Sequence, residues 1–314
     1  MAEPTSERLA VLCGGLGGSR LVHALALAAG GERVTAIGNV GDDLEILGLD
    51  VSPDLDTVLY TLAGLLDEGR GWGVRDESYA VLRQAERLGA SGWFTLGDRD
   101  IGLHLVRTER LRLGEPLSSV MHDLARALGV AVRLLPATDD RLRTFVSTDA
   151  GELDFQTWFV GRRHEDAVRA VRYEGAEAAT PAPGVLDAIA SAGAVLIAPS
   201  NPFVSIGPIL AVPGIRDALE AHTLVAAMSP LVGGRAIRGP LAEMMSTLGH
   251  EPSALGVARL YEGIADVFVL GRADADLAAQ VEALGLRPVV CETVMVEPGM
   301  RADIGRQVLE GVLG

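Results

Sequence analysis

The 314-residue chain contains no lysine, so all 27 of its basic side chains are arginines. It therefore lacks a P-loop lysine, a Schiff-base lysine and a pyridoxal phosphate anchor, and phosphate charge has to be met by arginine, backbone N–H groups or a metal ion. Acidic side chains outnumber basic ones by 42 to 27, which gives a formal net charge of −15. Such a field repels the phosphate backbone of nucleic acids, and we expect no nucleic-acid partner.

Cysteines and long apolar segments are also scarce. Cys13 and Cys291 are the only two cysteines, too few for a disulfide scaffold, and a reducing cytoplasm is the simplest setting for them. The N-terminus lacks the basic and apolar regions of a signal peptide, and no stretch has the length and apolarity of a membrane span. We expect a soluble, cytoplasmic protein without a membrane partner.

Six short apolar runs, separated by stretches with helical periodicity, predict a sheet. They cover residues 9–13, 34–37, 194–198, 224–227, 267–270 and 288–291. Continuous apolar strands that alternate with helices are typical of a parallel sheet with helices on both faces. We therefore predict the α/β class with a Rossmann-like sheet, and we place the ligand site beyond the carboxyl ends of the strands.

An insertion is predicted to interrupt this core. We assign residues 8–43 and 190–314 to one discontinuous α/β domain, and residues 50–185 to an inserted helical and β-hairpin subdomain. Ser52-Pro53 opens a helix in the insertion. Two alternating segments, 143–146 and 152–159, predict the β-hairpin.

A glycine turn joins the first apolar run to a helical pattern, and its glycines are Gly14, Gly15, Gly17 and Gly18. Backbone N–H groups at a helix N-terminus can hold a phosphate. The third glycine of the dinucleotide motif is missing, because Arg20 follows Gly17-Gly18-Ser19. This weakens a nicotinamide site, and the turn could also serve only to pack a helix on the sheet.

Asn39, a candidate substrate-binding residue, and four carboxylates follow the second apolar run. Asp42 and Asp43 come after the strand end, and Asp54 and Asp56 lie in the first turn of the next helix. Oxygen ligands of this kind suit Mg²⁺ held between the protein and substrate phosphates, so these four are the predicted metal ligands. Acidic residues in a first turn could instead act only on the helix dipole.

Two loops carry side chains that could contact a flat ring. Trp72 lies between two glycines, and this loop is either a lid that stacks on a heterocycle or a segment that the indole anchors to the core. Asp98 and Arg99 are candidate substrate-binding residues at a predicted helix start, where Arg99 lies between Asp98 and Asp100. Its guanidinium could contact a ring or a phosphate, or form a local ion pair.

Polar groups also follow the later strands, where a nucleotide base or ribose would lie. They are Ser200, Asn201, Ser229, Gly233 and Gly234, with Arg235 and Arg238 adding positive charge nearby. The same loops could be ordinary strand-to-helix turns.

Seven segments together resemble the 2-phospho-L-lactate transferase family of coenzyme F420 biosynthesis. In order they are residues 14–18, 39–43, 52–60, 70–73, 96–100, 199–202 and 229–234. The likeness covers nearly the whole chain, and the segments SPDLDTVLY and GDRD are specific to this family.

The resemblance implies a magnesium-dependent transfer to the primary alcohol of the deazaflavin Fo (7,8-didemethyl-8-hydroxy-5-deazariboflavin). The donor would be a guanosine diphosphate-linked three-carbon acid, the phospholactyl compound LPPG or the phosphoenolpyruvyl compound EPPG, and GMP would be released. Asp56 and Arg99 would contact Fo, and Asp54 or Asp56 could orient or deprotonate the alcohol. Family members are typically homodimers, and the arginine-only composition resembles the actinobacterial phosphoenolpyruvate transferases.

Two other readings stay open at this point. A nucleotide-sugar-binding regulatory protein of the gluconeogenesis-factor family shares the glycine turn and the paired aspartates, but it continues into Gly-Gly-Ser-Ser-Gly where this chain has residues 44–48, Leu-Glu-Ile-Leu-Gly. A nicotinamide oxidoreductase is supported only by the general strand-glycine-helix unit.

Overall fold

The computed structural model describes residues 7–237 and 239–314. Its strands, in chain order, are β1 (Leu9–Cys13), β2 (Val34–Gly38), β3 (Leu44–Ile46), β4 (Leu49–Val51), β5 (Arg133–Pro136), β6 (Arg143–Thr148), β7 (Gly151–Asp154), β8 (Val168–Glu174), β9 (Ala194–Ile197), β10 (Val225–Met228), β11 (Leu231–Val232), β12 (Arg235–Ala236), β13 (Val267–Gly271) and β14 (Arg287–Cys291).

The α-helices are α1 (Gly15–Ala29), α2 (Pro53–Leu62), α3 (Ala80–Arg87), α4 (Asp98–Arg112), α5 (Leu117–Ala127), α6 (Val185–Ala190), α7 (Gly207–Ala211), α8 (Ile215–Glu220), α9 (Leu241–Thr247), α10 (Ala254–Leu260), α11 (Ala278–Ala283) and α12 (Arg301–Leu313). Four 3₁₀ turns cover Gly31–Arg33, Ala176–Ala178, Arg272–Leu277 and Pro298–Met300, and two π-helical turns cover Thr157–Gly161 and Pro202–Ile206.

Seven parallel strands form the main sheet in the order β14-β13-β10-β9-β1-β2-β5. Every residue of β1, β9, β10 and β13 is buried, which explains why these strands read as continuous apolar runs. The two strand prolines, Pro136 and Pro288, lie in the edge strands β5 and β14, where a missing N–H is tolerated. The predicted α/β, Rossmann-like class is confirmed.

The order of the strands creates a crevice between β1 and β9. From β1 the chain moves outward to β2 and β5, and it later returns to β9 on the other side of β1 before continuing to β10, β13 and β14. The loops that follow β1 and β9 therefore run in opposite directions. Ligands of open parallel sheets bind at such a point, beyond the carboxyl ends of the strands.

The range predicted as an insertion contributes to two sheets. Strand β5 pairs with β2 and so belongs to the main sheet, whereas β7, β6 and β8 form a separate antiparallel sheet. The second predicted hairpin segment, 152–159, is only half a strand, because β7 ends at Asp154, whose Oδ1 accepts a hydrogen bond from the Thr157 amide, 2.9 Å away. The division into a core and an insertion stays a prediction.

Two further observations concern membrane-spanning helices and the two cysteines. Within residues 7–237 and 239–314, no helix is both long and apolar enough to cross a lipid bilayer. Cys13 and Cys291 are both buried and both have free thiols.

Two glycine-to-alanine substitutions should change stability in opposite directions. A Cβ at Gly305 in α12 would lie 2.2 Å from the Ala24 carbonyl oxygen of α1, whereas a Cβ at the exposed Gly102 of α4 would have nothing within 4 Å. We expect Gly305→Ala to lower the free energy of unfolding by roughly 1–3 kcal/mol through overpacking. Gly102→Ala should raise it by about 0.5–1 kcal/mol through the better helix propensity of alanine.

Urea unfolding of both variants beside the parent protein measures the two changes. Shifts of the same sign would contradict the close packing of α1 against α12.

Candidate active site

A cavity of about 510 Å³ lies at the carboxyl edge of the main sheet. Its lining comes from the loops that follow β1, β2, β9, β10 and β14, from α2 and α4, and from other segments of the range 50–185. The predicted site residues that line the cavity are Gly14, Gly15, Gly17, Asp42, Asp54, Asp56, Trp72, Ser200, Asn201 and Ser229. The cavity therefore lies at the edge of the sheet where the sequence analysis places the ligand site, and the roles of these residues stay predictions.

Three glycines of the turn, Gly14, Gly17 and Gly18, are packed too closely for a side chain. A Cβ at Gly14 would lie 2.3 Å from Asp54 Oδ2, and one at Gly17 would lie 2.3 Å from the Pro199 carbonyl oxygen. Ser200 Oγ donates to the Gly14 carbonyl oxygen, 2.7 Å away, and accepts from the Gly14 amide at 3.2 Å. The loops after β1 and β9 are thereby joined across the crevice.

Asp54 ties the glycine turn to α2. Its Oδ1 accepts a hydrogen bond from the Gly15 amide at the N-terminus of α1, 2.6 Å away, and its Oδ2 accepts one from Asn39 Nδ2 at 2.9 Å. Asn39 Nδ2 also lies 3.4 Å from Asp42 Oδ1. Asn39, predicted to bind substrate, therefore connects two carboxylates and does not itself line the cavity.

Burial makes the carboxylates of this cluster weaker acids. It raises the pKa of Asp54 to about 6 despite the hydrogen bonds from Asn39 and Gly15. Burial, together with the negative charges of Asp54 and Asp43, raises the pKa of Asp42 well above its ordinary value. Both carboxylates have neutral partners, since Asp42 is bound by Asn39 and by Gln156, 3.2 Å away. A bound cation would relieve their mutual repulsion.

The four predicted metal ligands differ in their surroundings. Asp43 does not line the cavity, its Oδ2 accepts from Ser52 Oγ at 2.9 Å, and burial raises its pKa to about 7. Asp56 lines the cavity but forms an ion pair with Arg107. In the described part of the chain, no group of three or more histidine, cysteine, aspartate or glutamate side chains is arranged to hold a metal. Asp42 and Asp54 line the cavity and have neutral hydrogen-bond partners, which suits Mg²⁺, because this ion commonly takes one or two carboxylates plus water and substrate phosphates; the four-residue metal site stays a prediction.

A buried polar network beside the cavity was not predicted from the sequence. Arg107 binds both oxygens of Asp56, with Nη1 donating to Oδ2 at 3.0 Å. His104 Nδ1 lies 3.7 Å from Asp56 Oδ2, and His104 Nε2 lies 3.1 Å from Asp100 Oδ1, which also accepts from the Tyr60 hydroxyl. Asp100, His104 and Arg107 lie on one face of α4, and their spacing in the sequence could have indicated this network.

Aromatic side chains contribute apolar lining to the cavity. This aromatic wall consists of Trp72, Phe94, Phe155 and Phe159. Trp72 lies between Gly71 and Gly73, whose φ angles of +78° and +70° favour glycine, and its side chain is 43% exposed. The partial exposure agrees with a lid more closely than with a core anchor. Phe94 was missed because it lies in an irregular segment, and Phe155 and Phe159 were missed because they lie in a helical turn that the sequence analysis predicted as a hairpin strand.

Several predicted residues lie away from the cavity. A Cβ at Gly18 would meet Ser200 Oγ at 2.6 Å, so this glycine serves packing. The Asp98 carboxylate accepts from Ser78 and from the first amides of α3, and the exposed Arg99 donates to the Arg75 carbonyl oxygen at 3.4 Å. Neither residue of this first turn of α4 lines the cavity, and their contact with substrate stays a prediction.

The strand-end loops are held mainly by their own hydrogen bonds. Ser229 Oγ donates to the Leu231 carbonyl oxygen at 2.8 Å, and Asn201 Oδ1 accepts from the Phe203 amide at 2.9 Å. The Gly233 amide donates to Asp274 at 2.9 Å. Gly233, Gly234 and the exposed Arg235 lie in the β11–β12 hairpin and do not line the cavity, and Arg238 lies outside the described residues.

Comparison with known proteins supports the resemblance seen in the motifs. Residues 9–307 match the family model described as 2-phospho-L-lactate transferase CofD. A phosphoenolpyruvate transferase of Streptomyces griseus is 44% identical over 96% of this chain and 98% of its own length, and one of Streptomyces coelicolor is 42% identical over 96% and 97%. A crystal structure of a UPF0052 family member from Bacillus halodurans shares the fold, with a TM-score of 0.62 at 17% identity over 98% of this chain and all of that one.

The buried Asp56–Arg107 pair gives a prediction on stability. We expect Arg107→Met to lower the free energy of unfolding by roughly 3–5 kcal/mol, because it leaves a buried carboxylate without its counter-charge. The double variant Asp56→Asn/Arg107→Met should lose clearly less than the sum of the two single variants. The surface pair Asp149–Arg169, with Nη2 and Oδ2 2.9 Å apart, is the matched control.

Arg169→Met should cost no more than about 1 kcal/mol, as exposed pairs do. Chemical unfolding of the four variants gives the comparison. Equal losses for Arg107→Met and Arg169→Met would show that the Asp56–Arg107 pair does not hold the site together.

Proposed function

Because this chain belongs to the CofD family of 2-phospho-L-lactate transferases, we propose that it acts in coenzyme F420 biosynthesis. It transfers a phosphoenolpyruvyl or phospholactyl group from the guanosine diphosphate-linked donor EPPG or LPPG to the primary hydroxyl of Fo. The products are dehydro-F420-0 or F420-0, and GMP.

One observation carries this proposal. A single cavity brings together two buried carboxylates with neutral partners, the N-terminal turn of α1 and an aromatic wall. A diphosphate needs cationic or N–H groups, and a flat tricyclic ring needs apolar, stackable surface. The cavity offers both, side by side, as a transfer between two such substrates requires.

The strand-end side suits the nucleotide donor. The glycine turn lies at the β1–β9 crevice, beside Ser200 and Asn201. Since the Gly15 amide already donates to Asp54, the next amides of the α1 N-terminus are the ones left for a phosphate. Pro230, Leu241 and Met295 add apolar surface for a base on the same side.

The aromatic wall suits the deazaflavin acceptor. Trp72 is partly exposed, with the Arg70 guanidinium 5.5 Å from its ring centroid, so the indole stands at the edge of the cavity. Phe155 and Phe159 stack on each other with ring centroids 5.2 Å apart, which fixes a flat apolar surface. Asp56, held by Arg107, lines the same cavity and is placed to accept a hydrogen bond from the acceptor.

The proposed reaction is an in-line displacement at phosphorus. The Fo hydroxyl oxygen forms a bond to the phosphorus that carries the three-carbon acid, and the bond from that phosphorus to the bridging oxygen breaks, so the electron pair leaves with GMP. Mg²⁺, held by Asp42 and Asp54, would neutralise charge on the diphosphate. Asp54 or Asp56 orients the hydroxyl or accepts its proton.

The names of the relatives favour one donor. The Streptomyces proteins are phosphoenolpyruvate transferases, and they match over nearly their whole lengths. We therefore propose EPPG as the donor of this chain. From the resemblance and the two free thiols, we also propose a cytoplasmic homodimer.

Product analysis tests the proposal. Purified protein incubated with Fo, Mg²⁺ and either EPPG or LPPG should give GMP and a product whose mass equals Fo plus the transferred group, faster with EPPG. Excess chelator should abolish turnover, because two repelling carboxylates alone do not neutralise the diphosphate. Absence of product with both donors would refute the function, and full activity in chelator would refute the metal role.

A further inference from the structure

One cationic side chain faces the cavity described above. Among the described residues that line it, Arg20 is the only arginine, whereas four aspartates, Asp42, Asp54, Asp56 and Asp100, line the same space. Arg20 lies in the second turn of α1, four residues after Leu16, which also lines the cavity. The spacing of four places both side chains on one face of the helix.

Arg20 has donors to spare. Its side chain is only 6% exposed, and Nη2 donates to Glu68 Oε2 at 2.9 Å. Nε is buried and has no acceptor among the described residues. A buried guanidinium with an unused N–H is costly unless another acceptor completes its hydrogen bonds.

The surroundings of Arg20 carry excess positive charge. Glu68 is shared with a second buried arginine, Arg301, whose Nη2 lies 2.5 Å from Glu68 Oε1. Arg301 Nη1 also lies 3.2 Å from Nδ1 of His23, and burial and the charge of Arg301 lower the pKa of this histidine. Two guanidinium groups thus face one carboxylate, and one positive charge is left over at the cavity.

We propose that Arg20 binds an oxyanion of the donor, a phosphate of the nucleotide or the carboxylate of its three-carbon acid. Glu68 and Arg301 position the Arg20 guanidinium, and its free donors complete their hydrogen bonds on the ligand. The assignment rests on the proposed function, and it gives the lysine-free chain a cation at the cavity in place of Arg235, which is exposed on the β11–β12 hairpin.

Glu68 also connects Arg20 to the loop that carries Trp72. Glu68 precedes Trp72 in the segment closed by the Leu66–Val74 bridge, so the two arginines anchor the loop that carries this indole. A donor oxyanion on Arg20 would therefore lie close to the base of the loop that contributes to the aromatic wall.

The test measures the binding of three probes at saturating Mg²⁺ by titration calorimetry. GDP carries phosphates without a carboxylate, phosphoenolpyruvate carries both groups on the three-carbon acid, and guanosine carries neither. The variants are Arg20→Gln, Arg20→Lys and Arg216→Gln. Arg216 is an exposed arginine of α8 outside the cavity lining, so its loss controls for the change in net charge.

If Arg20 meets a nucleotide phosphate, Arg20→Gln weakens GDP binding roughly 10- to 100-fold and leaves guanosine binding within about twofold. If it meets the acid, phosphoenolpyruvate binding weakens instead and GDP binding does not. Arg216→Gln should change neither. Arg20→Lys keeps the charge and the contact with Glu68 but loses the planar fork, so it should bind the affected probe more weakly than the parent protein and more tightly than Arg20→Gln. This variant also tests the proposal if Arg20→Gln does not fold.

Unchanged GDP and phosphoenolpyruvate affinities in both Arg20 variants would overturn the assignment. Equal weakening of GDP and guanosine would also overturn it, because that pattern indicates a structural role only. If the parent protein makes product from Fo and donor, and the Arg20 variants bind the three probes normally, only this inference is refuted. A parent protein that binds no probe and makes no product would refute the proposed function as well.

Discussion

The hydrogen bond from the Gly15 amide to the Asp54 carboxylate is the contact on which the rest of the site depends. It fixes the first turn of α2 against the N-terminus of α1. Through Asn39, which also donates to the Val204 carbonyl oxygen at 3.2 Å, the same carboxylate is linked to the end of β2 and to the π-helical turn after β9. Four separate parts of the chain therefore meet at one buried side chain, and Gly14 allows the close approach because a Cβ there would lie 2.3 Å from Asp54 Oδ2.

Charge is the second constraint on this cavity. Four aspartates and one arginine line it among the described residues, and burial raises the pKa of Asp42 and of Asp54. Such a surface is a poor receptor for a diphosphate unless cations are added. A divalent ion at Asp42 and Asp54 and the spare donors of Arg20 are the two additions that the residues suit. Asp56 is different, because Arg107 already neutralises it.

The sequence was most informative where one local rule decides the structure. Continuous apolar runs predicted the buried parallel strands, and polar residues that follow them, including Asp42, Ser200 and Ser229, line the cavity at the carboxyl edge. It was least informative where partners are distant along the chain. Asp56 and Arg107 are 51 residues apart in the sequence. Glu68 lies 48 residues from Arg20 and 233 residues from Arg301. No spacing rule could pair these residues. The predicted strand at 152–159 was wrong beyond Asp154 because a side-chain cap overrode the alternating pattern.

A crystal structure of the protein with Mg²⁺, GDP and Fo bound together tests the central claim most directly. The account predicts the diphosphate at the β1–β9 crevice, the metal between its oxygens and the Asp42 and Asp54 carboxylates, and the deazaflavin ring against Trp72 and Phe155. Either ligand bound outside this cavity, or a metal held by other residues, would contradict it.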